Sequence, residues 1–232
     1  MDKGGLATNR SYQQFCGLAS ALDLLGGRWT LLIIRELLMG PRRYSELLAG
    51  LPGIGTNLLA ERLKFLMRSE LIRKVDTPAD QRQSYELTAQ GHELRPIVLD
   101  LARWGMRHLG ELGPDAAVRP HWGFLAVEAM LRPGATPDVD ERYEFQVDGE
   151  VFHIDVRQRV AHAVRGPARE PAMTATTDAA TFVRLGAGEL TPLAAMVTGR
   201  LAMTGDVDAV LRCCTLLGLE TGQVSPGRVA AR

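Results

Sequence analysis

The stretch LLGGRWTLLIIRELLMGPRRYSELL, residues 24–48, constrains the fold more than any other part of the chain. From Thr30 to Met39 an apolar run predicts a helix with Leu31, Leu32, Ile34, Leu37 and Leu38 on its inner side. Gly40-Pro41 stops it, glycine by reversing the chain and proline by refusing to continue the helix. Before it, Leu18, Leu22 and Leu25 form one apolar helical face that ends at Gly26-Gly27. After it, Tyr44 to Leu48 predicts a short third helix and LPGIG (51–55) a turn. Thr56 to Ser69 is then a fourth helix, with Leu59, Leu63 and Leu66 facing inward.

Residues 71–75 (LIRKV) and 84–88 (SYELT) predict two short strands, joined by the polar hairpin DTPADQRQ. Thr88 to His108 reads as one long helix with Leu94, Ile97, Leu101 and Trp104 in a stripe. Glycine and proline are frequent over 110–140, where HWGFLAVEAMLR (121–132) predicts a connecting helix. Beyond it the period changes to two. YEFQVDGEVFHIDV (143–156) alternates around Asp148-Gly149, the signal of a tight hairpin. Strands are expected near 160–164 and 172–176, and again over 199–205. Asp178, Thr191-Pro192 and Asp206 each open a helix, the last running through Leu217. The expected architecture is α+β in two domains. A helical domain with a wing occupies 1–110, a linker with its helix 111–140, a small sheet with helices 141–220, and a tail 221–232.

The whole chain balances 27 basic against 27 acidic residues. Its halves differ: residues 1–110 carry 15 Lys and Arg against 11 Asp and Glu, and the remainder 12 against 16. Nucleic-acid contact is therefore expected of the first half only. No stretch reaches 18 uninterrupted apolar residues, and no secretory pattern opens the sequence, so a cytoplasmic protein without a membrane partner is expected. The three cysteines, Cys16, Cys213 and Cys214, match no metal spacing or disulfide framework. The adjacent pair is read as packing residues pointing to different sides of a helix.

Two helices meeting at an angle, the second presenting its first turn outward, form a helix-turn-helix that can reach base edges in a major groove. Steps of about 100° per residue set Asn57, Glu61, Lys64 and Arg68 opposite the leucine face, with Thr56 and Ala60 at its edge. An amide, a hydroxyl and an ammonium are suited to base reading. Arg62, on the flank, can clamp a phosphate or a guanine. Arg42 and Arg43 precede the third helix, where they can grip backbone phosphates. Arg82 and Gln83 at the hairpin tip form a natural wing. Spacing alone leaves an ordinary solvated face as the alternative.

From Cys16 to about Leu109 the sequence resembles the HxlR-type winged helix-turn-helix regulators. The resemblance rests on ALDLLGGRWTLLIIRELLMGPRRYSELLAGLPGIGTNLLAERLKFL, then LIRKV, YELTAQG and LRPIVLDLARWG. It implies a dimeric transcription factor on double-stranded, pseudo-palindromic DNA, with Arg43, Thr56, Asn57, Arg62 and Arg82 near the DNA. The sequence departs from the family where Gly55 replaces a usual serine and where DTPADQRQSYEL replaces the usual wing run. Cys16 occupies the place of a cysteine that some of these regulators use to sense electrophiles, and Arg10 and Arg28 lie nearby in sequence. A small packing residue is the alternative there.

Residues 143–218 resemble a sterol-carrier-protein-like domain, best at LTPLAAMVTGRLAMTGDVDAVLRCCTLL. The resemblance, with a sheet backed by amphipathic helices, implies an apolar cavity. Its expected lining is Met130, Phe145, Phe152, Phe182, Leu193, Met196, Val197, Met203 and Leu211, although the same residues describe a filled core. His121, His153 and His162 show no metal-ligand pattern. No nucleophile elbow, phosphate loop or dinucleotide fingerprint is present, so neither an enzyme nor a cofactor is expected. The expected function is a dimeric regulator answering to an apolar effector. The alternatives are a redox regulator acting through Cys16, and a carrier or enzyme whose helix-turn-helix serves dimerisation.

Overall fold

The computed structural model describes residues 11–77, 82–113 and 116–220, the side chains at 77 and 82 excepted. Contacts divide the chain into two compact units, Met1–Val98 and Leu99–Arg232. The expected tail 221–232, Arg10 and the tip of the wing lie outside the described residues.

In the first unit, α1 (Gly17–Leu25) and α2 (Thr30–Leu38) are inclined at 79°. The turn between them accounts for the paired glycines. A side chain on Gly26 would meet the Leu22 carbonyl at 2.6 Å, and one on Gly27 would meet the Arg62 guanidinium at 3.1 Å. Trp29 follows in the left-handed region at φ 75° and starts α2. Next come β1 (Arg42–Arg43), α3 (Tyr44–Gly50) and α4 (Thr56–Arg68). Ile33, Ile34 and Leu37 of α2, Leu47 of α3, and Leu59, Leu63 and Leu66 of α4 are fully buried, forming the core of this unit. The wing is β2 (Ile72–Thr77) antiparallel to β3 (Arg82–Leu87), with β1 added at the other edge of β3 in the order β1-β3-β2.

The long helix expected from Thr88 to His108 is two helices, α5 (Ala89–His92) and α6 (Arg95–Met106). Pro96 explains the break. It has no N–H to give the His92 carbonyl, and its ring would press on that carbonyl, yet it fits the first turn of a new helix. Thr88 caps α5 by accepting the Gly91 N–H at 3.1 Å. A side chain on Gly91 would meet the Leu71 carbonyl at 2.1 Å.

The second unit is a five-stranded sheet with helices. Its strands are β4 (Glu141–Val147), β5 (Glu150–Arg157), β6 (Val160–Arg165), β7 (Met173–Thr177) and β8 (Leu201–Gly205), in the order β6-β5-β4-β7-β8. Asp148 and Gly149 both have positive φ, as a two-residue hairpin turn requires, and β4 then pairs in parallel with β7. The helices are α7 (Trp122–Met130), α8 (Ala179–Gly186), α9 (Pro192–Val197) and α10 (Val207–Leu217). Asp178, Thr191 and Asp206 accept the first free amides of α8, α9 and α10. Phe124, Phe145, Phe152 and Phe182 form one cluster, in which Phe145 stacks on its cross-strand partner Phe152 at 5.6 Å.

Glu144 and His153, opposite one another in the β4–β5 register, are both buried and hydrogen-bonded. Glu144 accepts from Gln146 and from the Ala168 amide at 2.8 Å, and His153 Nδ1 lies 2.9 Å from the Gly166 carbonyl. No group of three or more metal-ligating side chains occurs among the described residues. No single described helix is long and apolar enough to cross a membrane.

Candidate functional site

Helix α4 buries its three leucines and leaves Thr56, Asn57 and Lys64 exposed on the other side. Gly55, its N-cap, has no side chain to accept the free amides. The end is braced from outside instead: Tyr44 Oη donates to the Thr56 carbonyl at 2.7 Å. In the sequence Tyr44 is legible only as the first residue of the third helix, because its bond to Thr56 needs α3 and α4 packed together.

Arg62 requires a correction. Its Nε donates to the Arg28 carbonyl at 3.3 Å, its guanidinium fills the space above Gly27, and its side chain is 13% exposed. It therefore holds the α1–α2 turn and is not a clamp reaching for phosphate. Arg28 itself stacks over the Trp29 ring at 5.5 Å.

Arg42 and Arg43 are half-buried in β1, opposite Tyr85 and Ser84. The Arg43 amide donates to Glu46 at 2.7 Å, which closes the start of α3, and Arg42 Nε is buried without a hydrogen-bond partner. On the wing, Gln83 is exposed and accepts from Lys74 Nζ at 2.8 Å, while that ammonium also lies 5.7 Å from the Tyr85 ring. The Arg82 side chain falls outside the described residues. Lys74 and Arg73, exposed on β2, were visible in LIRKV but only the β2–β3 pairing puts them on the wing.

Cys16 is exposed and stands at the N-cap of α1. The amides of Ala19 and Leu18 hold its thiol below the ordinary value. Cys213 and Cys214 are the opposite case. Burial pushes both thiols up, Cys213 strongly.

The second unit contains an apolar cavity of about 160 Å³, partly open. Of the expected lining, Met130, Phe145, Phe182 and Met203 border it. Phe152 stands behind the wall, buried against Phe145. Leu193, Met196, Val197 and Leu211 do not border it and are exposed, Val197 by 79%. This expectation is corrected by helix phase: α9 turns Pro192 and Ala195 inward, and α10 turns in Ala209, Cys213, Cys214, Leu216 and Leu217. Cys213 and Cys214 border the same cavity, contrary to the expectation that they face different sides. Met106, Leu109 and Trp122 complete the wall from segments read as DNA-binding domain or linker.

The first unit is thus a winged helix-turn-helix, and the protein is a transcriptional regulator of that class. Residues 24–112 match the HxlR-like helix-turn-helix family, and the chain belongs to it. Residues 128–218 match the SCP-2 sterol transfer family and contain the five-stranded sheet. An HTH-type transcriptional regulator of Synechocystis is 37% identical over 91 residues, 39% of this chain and 67% of that protein. One of Mycobacterium bovis is 39% identical over 103 residues, 44% of this chain and 65% of that protein, so the match spans slightly less than two thirds of its length. The regulator YodB of Bacillus subtilis is 38% identical over 88 residues, 38% of this chain and 79% of that protein. The solved structure of its reduced form gives a TM-score of 0.37 at 32% identity, covering 43% of this chain and all of that one.

Proposed function

We propose that this protein is a homodimer that binds a pseudo-palindromic operator through α4 and the wing, and that an apolar small molecule in the second unit changes that binding. The observation that carries the reading is one chain holding both an exposed, externally braced first turn of α4 and a cavity whose wall, among the described residues, is apolar and uncharged. Helix α6 is the covalent link. At its start Arg95 Nη1 donates to the Leu38 carbonyl of α2 at 3.3 Å, and at its end Met106 borders the cavity. Regulation requires that the ligand prefer one of two DNA-binding states; affinity without preference shifts nothing.

Fluorescence anisotropy with DNA from upstream of the protein's own gene tests the DNA face. Asn57→Ala is expected to cost about 1–3 kcal/mol and to relax preference at one base pair, as loss of a base-edge contact does. Arg43→Ala is expected to weaken all sequences alike and to reduce the salt slope, as loss of a phosphate contact does. Full affinity in both variants would mean that α4 and β1 do not face DNA. Failure of the wild type to bind any fragment specifically would favour the carrier alternative.

Cys16 supports a second reading, redox control, because it is exposed and its thiol is lowered by the first amides of α1. Iodoacetamide is expected to alkylate Cys16 first in the native protein, at a lower pH than an ordinary thiol requires. Cys213 and Cys214 should react only after unfolding. If diamide releases the DNA and Cys16→Ser abolishes that release, the thiol is the sensor. If release persists in Cys16→Ser, this second reading fails.

A further inference from the structure

Helix α6 has two different sides. Ile97, Leu101 and Trp104 share one of them and are exposed. Met106 lies two positions beyond Trp104, about 200° round the helix at roughly 100° per residue. It is half-buried and borders the cavity of the second unit. The chain continues in tight turns after α6, the His108 amide donating to the Gly105 carbonyl at 2.9 Å. Leu109 therefore follows one turn after Met106 and borders the cavity as well. It is 52% exposed, which puts it on the rim of the opening.

A hydrogen bond fastens α6 to the next helix of the wall. Arg103 Nε donates to the Ala129 carbonyl of α7 at 2.6 Å. The sequence leaves that carbonyl in need of an outside donor. Four positions on stands Pro133, which has no N–H, and the Arg132 amide is taken by the Leu216 carbonyl at 3.1 Å. Ala129 is fully buried, so water does not reach it. Asp100, one turn earlier on α6, pairs with Arg103 Nη1 and orients the guanidinium. Helix α7 gives Trp122, Gly123, Ala126, Val127 and Met130 to the wall, along its whole length. Arg103 thus joins the helix of the apolar stripe to a helix that lines the cavity.

We propose that α6 transmits occupancy of the cavity to dimerisation, with the Arg103–Ala129 bond as the joint, and that a ligand in the cavity tightens the dimer. The proposal rests on the readings of the second unit as the effector site and of the stripe as the dimer face, and it names how the two are linked. The sign follows from packing. Side chains that border a cavity lack contact atoms on that side until it is filled. An apolar molecule supplies them to Met106 and to the α7 wall at once, which stiffens α6 against α7. A stripe already held in place loses less conformational freedom on meeting a second copy. The coupling is reciprocal, so the dimer also holds the ligand more tightly than the monomer does.

The test uses the full-length protein with toluene and Nile red, two uncharged apolar probes. Dimerisation is followed by sedimentation velocity over a dilution series. A saturating probe is expected to lower the dimer dissociation constant of the wild type by about fivefold or more, the lower end of a typical coupling. Hydrogen exchange over α6 in the dimer should slow as well, and unchanged exchange would overturn the proposal. Arg103→Met keeps an unbranched stem and loses the donor. It should still bind the probe, since Arg103 does not border the cavity, yet its dissociation constant should no longer respond. Arg103→Lys keeps a cationic donor and should recover part of the response. Should Arg103→Met fail to fold, Met106→Ala removes the other contact of α6 and should weaken the response. A folded Arg103→Met or Met106→Ala protein that responds like the wild type would overturn the proposal. A probe that binds the wild type and leaves its dissociation constant unchanged, or raises it, would overturn the coupling and leave the effector site standing. If neither probe binds, the effector reading itself falls. If the wild type stays monomeric, the dimer reading falls, and the proposal goes with either.

Discussion

Replacing Leu101 and Trp104 together by glutamate is expected to turn the dimer into a monomer and to remove specific operator binding. Helix α6 has 12 residues and none of them is buried. Leu101 is 47% exposed, Trp104 54% and Ile97 53%, all on the stripe that the sequence predicts. A contiguous apolar face this exposed requires cover. In the proposed homodimer a second copy would supply it by two-fold symmetry, each stripe packing on the other. The same symmetry would set two recognition helices about 34–36 Å apart, as a palindromic site demands. Two carboxylates on each stripe would replace apolar contact by charge and repel their copies across the two-fold axis. Affinity should then fall by about 10³-fold or more, to the level of non-specific binding. Sedimentation velocity at micromolar concentration and anisotropy on the same DNA read both effects. A variant that remains dimeric with its operator affinity intact would show that the stripe is not the interface.

Local chemistry was legible in the sequence, whereas long-range placement was not. The inward leucines of α4 follow from steps along one helix, and the Asp148-Gly149 turn follows from residues that tolerate positive φ. The caps at Asp178, Thr191 and Asp206 depend on amides at most three residues away. Arg62 was misread because its partner, the Arg28 carbonyl, is 34 positions distant and its room is made by the absent side chain of Gly27. Strand β1 exists only because β3 lies beside it, and two arginines have no strand pattern of their own. The cavity wall was half legible for a related reason. Size and apolarity pick out Phe145 and Met203, but α9 spans only six residues, too few for a periodic stripe to show which side is inner. Large residues there face outward while Pro192 and Ala195 face in. The break before α6 was available in Pro96, but the apolar period of Leu94, Ile97 and Leu101 runs across it and conceals it.

Removing the guanidinium of Arg212 should destabilise the second unit in a way that depends on pH. Arg212 on α10 binds Glu141 at the start of β4 through two bonds, 2.6 and 2.7 Å, joining residues 71 positions apart. The Tyr143 hydroxyl, on a buried ring, donates to the same carboxylate. Burial pushes the Glu141 carboxyl up, but the bonds from Arg212 and Tyr143 and the Arg212 charge outweigh it, and the net direction is down. Burial and the neighbouring carboxylate hold the Tyr143 phenol well above its ordinary value, so it remains a donor. A carboxyl whose folded pKa is depressed adds stability that is present above its unfolded value, near 4.5, and lost as pH falls through the folded one. In Arg212→Leu the Arg212 bonds and charge are gone while burial and the Tyr143 bond remain, so the carboxyl moves up from its value in the parent protein. At pH 7 the loss should be about 2–3 kcal/mol, below the roughly 3–5 kcal/mol of a fully buried pair, because the Arg212 side chain is still 31% exposed. Below about 4.5 the unfolded chain takes up a proton that the folded parent protein resists, so the difference should shrink at about pH 3.5. The double variant Glu141→Leu, Arg212→Leu should recover part of the loss, since no carboxylate is then left buried and unpaired. Urea unfolding of the three proteins at both pH values measures each difference. A loss that is equal at pH 7 and pH 3.5 would mean that Arg212 stabilises α10 by packing its stem and not by its charge.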